Sequence, residues 1–232
     1  MSIAYATAVR HRPLSLIAGL LIAAAPALAI AAPERYEIDP VHTRVAFAID
    51  HAGFSKAIGT VSGSTGEVLF DPQDWNSARV QVSVPLQRLD LGDGKRNEAT
   101  LARGLLDAQR HPQATFVSTR IETAGEDQAR IHGLLTLRGV TRQVTLDAHL
   151  NAIKRHPLPP FRRTAGFSAT ATISRADFGI DAWKSVIGDE VQLRIEVEAV
   201  RRAGAAEAAG DAATEAPPAE PASPPDVPEP TP

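Results

Sequence analysis

The 232-residue chain contains no cysteine, which excludes disulfide cross-links, thiolate nucleophiles, cysteine-bearing zinc sites and the acylated cysteine of a lipoprotein. The fold must hold together by packing. Aromatic residues are scarce, at 5% of the chain, and charge of either sign is not in excess, with a formal net charge of −3. The charge is unevenly placed. Residues 1–32 hold two basic and no acidic residues and residues 203–232 hold six acidic and no basic ones, leaving 22 basic against 21 acidic between them. A segment this close to neutrality lacks the basic footprint of a nucleic-acid binder.

Catalytic signatures are missing as well. The string Val61-Ser62-Gly63-Ser64-Thr65-Gly66 lacks the first glycine of a nucleophile elbow and reads as a β-turn region. His42 and His51 stand nine residues apart on opposite strand parities, without the i, i+2 or i, i+4 partner that a metal site favours. His111, His132, His149 and His156 fall on outward or loop positions and form no constellation. Asp177 and Asp181 flank Phe178-Gly179-Ile180 and read as turn caps. The glycine-rich Leu91-Gly92-Asp93-Gly94-Lys95-Arg96 lacks Walker spacing and reads as a loop leading into a helix N-cap.

Two terminal segments stand apart from the rest. After Arg10, His11 and Arg12, an apolar run from Leu14 to Ile22 leads to Ala27-Leu28-Ala29, the small-x-small pattern of a cleavage site. Residues 1–29 therefore read as a secretory signal peptide, which with the absence of cysteine predicts a periplasmic or secreted protein. Pro26 and the weakly apolar second half of this segment argue against a membrane-spanning helix. Residues 203–232 contain ten alanines, eight prolines and one large aliphatic residue, Val227. Such a segment cannot bury enough apolar surface to offset its ordering entropy, so a disordered acidic tail is expected.

The intervening residues 33–202 are of single-domain size and carry a period of two. Val45, Phe47 and Ile49 alternate with Arg44, Ala46, Ala48 and Asp50; Val80, Val82, Val84 and Leu86 alternate with Arg79, Gln81, Ser83 and Pro85. Val191, Leu193, Ile195 and Val197 do the same against Gln192, Arg194, Glu196 and Glu198. These are antiparallel strands with one face apolar and one face wet. Further strands are expected at 36–38, 66–70, 114–122, 129–137, 143–150 and 167–173, separated by turn residues such as Asp71-Pro72 and Arg138-Gly139.

Eight or nine such strands form either a sandwich or a closed barrel, and only closure removes the exposed edges. The expected fold is all-β, a closed antiparallel eight-stranded lipocalin-like barrel. The polar outward faces exclude a lipid-facing outer-membrane barrel. Leu101, Leu105 and Ala108 have helical spacing within Lys95–Gln109, predicting one short helix that caps the barrel mouth. Small residues on candidate inner faces, Ala114, Gly133, Ala148, Ala169 and Ala171, favour a cavity, although they also suit close packing in a filled barrel.

Five motifs follow one another along this domain. They are Tyr36-Glu37-Ile38-Asp39-Pro40-Val41-His42-Thr43 with Val45, Phe47 and His51, then the glycine-rich turn from Gly59 to Gly66. Next come Leu106 to Ser118, with Asp107-Ala108-Gln109-Arg110-His111-Pro112 at its start, and Gly133 to Thr141. Ser174-Arg175-Ala176-Asp177-Phe178-Gly179-Ile180 completes the set. Taken in this order, the motifs resemble the YceI-like family of exported barrels that bind polyisoprenoid and other amphiphilic lipids. The chain departs from the family pattern at Asn97 and Ala99, where acid and histidine are usual, and at Leu105, where an aromatic is usual. The resemblance implies an antiparallel barrel with a long apolar cavity, a capping helix and no catalytic centre.

The residues expected to face the ligand are Phe47, Ile49, His51, Phe54, Phe116, Phe167, Ala171, Phe178 and Trp183, with Lys95 and Arg96 suited to an anionic head group near the mouth. The expected role is a non-catalytic periplasmic protein that holds an isoprenoid quinone, prenyl lipid or similar amphiphile for transport, storage or sensing. No cofactor, nucleic acid or stable membrane insertion is implied. A homodimer and a partner in a membrane redox or lipid pathway are both compatible with this role. Two alternatives remain: a filled-core interaction module without ligand, and a small-lipid enzyme using His51 with an acid.

Overall fold

The strands are Glu34–Ile38 (β1), Arg44–His51 (β2), Ser55–Ser62 (β3), Thr65–Phe70 (β4), Arg79–Pro85 (β5), Leu89–Asp90 (β6), Gln113–Thr123 (β7), Gln128–Leu137 (β8), Val140–Arg155 (β9), Arg163–Ser174 (β10) and Ile187–Arg201 (β11). Among the described residues a single α-helix, Gly94–Leu101 (α1), lies between β6 and β7. This computed structural model describes residues 33–202. The export signal expected at 1–29 and the acidic tail expected at 203–232 lie outside the described residues. Among the described residues, no helix is long and apolar enough to cross a membrane.

Every strand pair is antiparallel. The order β1-β4-β5-β7-β8-β9-β10-β11 returns to β1 through Tyr36 opposite Arg201 and Ile38 opposite Ala199. That is an eight-stranded closed barrel. The strand β11 is long enough to serve two partners: residues 199–201 pair with β1, and residues 187–196 pair with β2. In the same way β1 and β2 form two halves of one stave, interrupted at 39–43, and β3 and β4 form two halves of the next, interrupted at Gly63 and Ser64. The short β6 pairs with β3 at Thr60 and Val61.

Local chemistry makes both interruptions. Asp39 Oδ1 accepts from the backbone N–H of Val41 at 2.7 Å, its backbone oxygen accepts from Thr43 at 3.0 Å, and its Oδ2 meets His42 Nδ1 at 2.7 Å. The Asx-type turn lets the stave bend without losing hydrogen bonds. In the second break Gly63 has φ +77°, a left-handed conformation that favours glycine. Gly66, two residues on from Ser64, passes so close to β5 that a Cβ would stand 2.0 Å from the Gln81 carbonyl oxygen.

Two sequence expectations need correction. The segment read as a glycine-rich turn, Gly59 to Gly66, contains the second half of the strand β3 and the start of β4. Its inward row is Ala57, Gly59 and Val61 while Ile58 points outward at 68% exposure, so the usual bulky-in pattern is absent. Gly59 is small because the ring of Phe47 lies 2.4 Å from where its Cβ would be. The helix expected through Gln109 ends at Leu101. Beyond it the chain folds back, Ala108 N–H donating to Leu101 O and Leu106 N–H to Thr100 O, which packs Leu101, Leu106 and Ala108 against Leu86 and Ala114.

One end of the barrel is filled. Tyr36, Ile38, Val68, Phe70, Trp75, Ala78, Ile121, Ala129, Ala165 and Ala199 form a buried cluster there. Phe70 stacks edge-on with Trp75 at 4.8 Å and with Phe167 at 5.4 Å. The loop between β4 and β5 supplies Trp75 on a 3-10 turn whose N-cap Asp74 accepts from Asn76 N–H. Outside this cluster, Glu34 receives hydrogen bonds from Tyr36 Oη at 2.6 Å and from Arg201 at 2.9 Å.

Candidate functional site

Above the aromatic plug the barrel holds a cavity of about 640 Å³. That is about four times the ~150 Å³ that accommodates one benzene, so the lumen has room for ~25 carbons. The size follows from what the inner rows carry. Ala169 of β10 pairs with Ala148 of β9, which in turn pairs with Ala129 of β8. The methyl groups of Ala169 and Ala148 leave open bore where leucines would fill it, while Ala129 belongs to the filled end.

The wall is apolar along most of its length. Val45, Phe47 and Ile49 of β2 line it with Val82 and Val84 of β5, Phe116 of β7, Leu135 of β8, Leu146 of β9, Phe167 of β10 and Leu193 and Ile195 of β11. Gly133 makes room for Phe116, whose ring stands 2.3 Å from the position of a Gly133 Cβ. The polar exceptions fall into two places. Asp50, His51, Arg96, Thr100 and Arg175 stand at the end away from the plug, and Thr43 and Ser64 sit at the two stave interruptions.

The open end is built from α1, the β2–β3 turn and the long loop between β10 and β11. Asp93 caps α1 by accepting from Arg96 N–H at 2.9 Å, and Asn97 Oδ1 accepts from Leu91 N–H at 2.7 Å, tying the helix to its preceding loop. Asn97 Nδ2 donates to Asp90, whose carboxylate also receives Gly92 N–H and is held below its usual pKa by these bonds. Asn97 thus has a defined structural task at a position where the family pattern differs.

Arg175 organises the β10–β11 loop from within. It is 5% exposed, and its guanidinium donates to the carbonyl oxygens of Gly188 at 2.7 Å, Ile180 at 2.7 Å, Ala182 at 2.8 Å and Ile187 at 2.9 Å. The planar fork matches four carbonyls that the loop's irregular backbone leaves unpaired. Arg138 fastens the same end from the β8–β9 turn, donating to Gly179 O at 2.6 Å and Arg103 O at 3.1 Å.

Of the residues expected at the ligand, Phe47, Ile49, His51, Arg96, Phe116, Phe167 and Trp183 line the cavity. Trp183 does so while 68% exposed, so the lumen meets solvent beside it. Four fall elsewhere. Phe54 is 93% exposed at the tip of the β2–β3 turn, because the backbone reversal at Ala52 and Gly53 points it away from the barrel. Lys95 lies on the exposed side of α1, one residue round from Arg96. Phe178 is buried, at 1% exposure, but on a 3-10 turn packed near β9 and β10 rather than on the lumen wall. Ala171 has inward parity but is not on the lumen wall, which its neighbours Ile173 and Leu193 line.

His42 stands outside the lumen, in an exposed pair with Asp39. The hydrogen bond to Asp39 raises its pKa above 6.5. Burial opposes ionisation of Asp39, but the bonds from His42 and from two backbone N–H groups outweigh it and lower the Asp39 pKa. His132 lies on the outer face of β8, bonded to Glu122 and Thr145. Among the described residues, no group of three or more His, Asp or Glu side chains is placed to hold a metal ion.

Sequence reasoning missed Trp75 and assigned Arg175 no role. Trp75 follows Asp71-Pro72 in a turn, where a bulky aromatic flanked by turn residues signals a plug rather than a surface loop. Arg175 was visible only as one letter of a motif.

The UPF0312 protein of Pectobacterium carotovorum is 35% identical over 189 residues, spanning 82% of this chain and 96% of that protein. The crystal structure of Burkholderia cenocepacia BcnA superposes with a TM-score of 0.63 at 25% identity, over 69% of this chain and 98% of BcnA. A polyisoprenoid binding domain from Saccharophagus degradans shares the fold at 14% identity, with a TM-score of 0.56 over 72% of this chain and 98% of that domain. The YceI-like domain model matches residues 36–199, from the first inward tyrosine of β1 to the buried Ala199 that closes the ring, and the chain belongs to that family.

Proposed function

We propose that the protein is a non-catalytic carrier that holds a polyisoprenoid, such as an isoprenoid quinone or prenyl lipid, within the barrel. The observation that carries this reading is the apolar lumen of about 640 Å³. At ~0.8 kcal/mol per buried CH2, ~25 carbons supply a gross transfer term of ~20 kcal/mol. Association costs of the order of 4–15 kcal/mol are covered without a strong head-group bond. The name of the Saccharophagus domain, and membership of the YceI-like family, support the same ligand class.

The reading places the protein in the periplasm, on the strength of the export signal in residues 1–29. It takes transport, storage or sensing as the role, with a lipid or redox pathway of the membrane as source or destination. A filled-core interaction module does not fit a lumen of this size. An enzyme using His51 has little support, since His51 is exposed at the open end beside Asp50 and far from the deep lumen.

The test is mass spectrometry of the full exported chain, prepared from a periplasmic fraction without detergent. Native spectra are expected to show a stoichiometric adduct that denaturation releases as an apolar lipid. Adduct-free protein that also fails to take up added prenols overturns the reading.

A further inference from the structure

The two stave interruptions lie side by side, since Arg44 of β2 pairs with Ser62 of β3 immediately beyond them. Each turns a hydroxyl inward. Thr43 is 1% exposed and Ser64 is fully buried, and both line the lumen. Thr43 Oγ1 is engaged with the backbone of β11, donating to Glu198 O and accepting from Glu198 N–H, both at 3.3 Å. Ser64 Oγ has no hydrogen-bond partner among the described residues. Only one other buried side-chain atom among them shares that condition, Arg138 Nε, and Arg138 is not on the lumen wall.

A buried hydroxyl without a partner is costly, and alanine in its place would remove the cost. The hydroxyl is explained if the ligand completes the bond. Its depth then restricts the ligand. Along β2, eight residues separate its level from the tip of the β2–β3 turn, ~26 Å along the strand at ~3.3 Å per residue and ~20 Å along the axis at a tilt of ~40°, while across β5 the register sets Ser64 level with Val84, which packs against the Leu86 cluster. The lining cations, Arg96 and Arg175, are at the open end. A phosphate or other anion at the level of Ser64 would meet no cation on the lumen wall, since Arg88, beside Gly63, is exposed and outside it. Beneath Ser64 stand the rings of Phe70, Trp75 and Phe167, which also line the lumen.

Resting on the lipid-carrier reading, we propose that Ser64 selects a neutral oxygenated polyisoprenoid, a prenol or prenylated phenol or quinone, bound with its oxygen hydrogen-bonded to Ser64 Oγ inside the lumen at the level of the two stave interruptions. The ligand enters polar end first, an aromatic head group lies on the lumen side of the ring plug, and the isoprenoid chain runs back toward Trp183. Prenyl phosphates are disfavoured in this orientation.

The experiment measures competition binding to the full chain of geranylgeraniol, its deoxy hydrocarbon and geranylgeranyl phosphate, for the wild type, Ser64→Ala and Ser64→Thr. Loss of one neutral hydrogen bond predicts that Ser64→Ala weakens the alcohol by about 3–10-fold. The hydrocarbon should be unchanged within twofold. Ser64→Thr, which keeps the hydroxyl, should keep the wild-type response, and thermal melts report whether each variant is folded. Equal weakening of alcohol and hydrocarbon, or no weakening of either, overturns the assignment of Ser64 while leaving the carrier reading intact. Stronger binding of the phosphate than of the alcohol by wild type overturns the neutral, head-in orientation. Failure of wild type to bind any of the three overturns the carrier reading and this inference together.

Discussion

Replacing Ala169 with phenylalanine places a benzene-sized ring in the lumen. Ala169 is 9% exposed, lines the cavity, and faces Ala148 across one strand pair and Ile195 across the other. The added ring takes up ~150 Å³ of the about 640 Å³ available, roughly a quarter of the lumen. Capacity falls by ~6 carbons, from ~25 to ~19. For a ligand long enough to fill the wild-type lumen, ~6 carbons at ~0.8 kcal/mol each is about 5 kcal/mol, an upper bound near 3,000-fold in affinity. For a C15 prenol, which still fits, the change should stay within a few-fold. The assay is competition binding across C10, C15, C20 and C25 prenols, with a thermal melt to show that the domain remains folded. The expected result is a loss that begins between C15 and C25. Uniform weakening at every length would mean that the ring disturbs the fold rather than the volume, and no change at any length would refute binding in this lumen.

Four further outcomes are expected. Arg175→Ala leaves the four carbonyls of Gly188, Ile180, Ala182 and Ile187 without their donor and should cost ~3–5 kcal/mol in chemical denaturation; a change below ~1 kcal/mol would show that the loop satisfies them otherwise. Gly133→Ala forces a Cβ to within 2.3 Å of the Phe116 ring and 2.7 Å of Val117 O, with an overpacking cost of ~1–3 kcal/mol. Adding Phe116→Leu should recover part of that loss, and strict additivity of the two substitutions contradicts the contact. Trp75→Ala removes the ring that packs on Phe70 and should cost ~3–5 kcal/mol in urea unfolding.

The remaining prediction concerns pH. The His42 pKa is raised, so the stability it contributes is present below its ordinary 6.5 and is lost as pH rises through the folded value. The Asp39 pKa is lowered, so its contribution is present above ~4 and is lost as pH falls through the folded value. The turn is therefore firmest between ~4 and ~6.5. His42→Ala should flatten the decline of Tm on the alkaline side of that window. An unchanged pH profile in the variant would dissociate the pair from stability.

The lumen wall was legible wherever a strand carried a bulky apolar row of period two. Phe47 and Ile49, Phe116, and Phe167 all sit on such rows, and parity alone put them inside. Parity failed where the wall is made of small residues. The strand β3 shows Ala57 and Gly59 inward and Ile58 outward, so its sequence looks like a turn, and only the ring of Phe47 filling the space beside Gly59 explains it. Parity also does not guarantee a place on the lumen wall, as Ala171 shows. Loop residues were the least legible. Phe54, Phe178 and Trp183 look alike as aromatics beside turns, yet one is at a hairpin tip, one is buried behind the wall and one stands at the opening.

The alternation of apolar and polar residues determined an all-β chain with one wet face per strand, and the count of strands with the need to remove edges determined a closed barrel. Those are local properties, carried by neighbours two residues apart. The tertiary structure decided what no local pattern encodes: that the ring closes through the double duty of β11, that Trp75, Phe70 and Phe167 plug one end, and that Arg175 gathers four distant carbonyls at the other. It also decided the fate of Ser64, a turn serine by sequence. Burial and the missing partner of its hydroxyl arise only because two staves break side by side, bringing residues from separate hairpins to one level of the lumen.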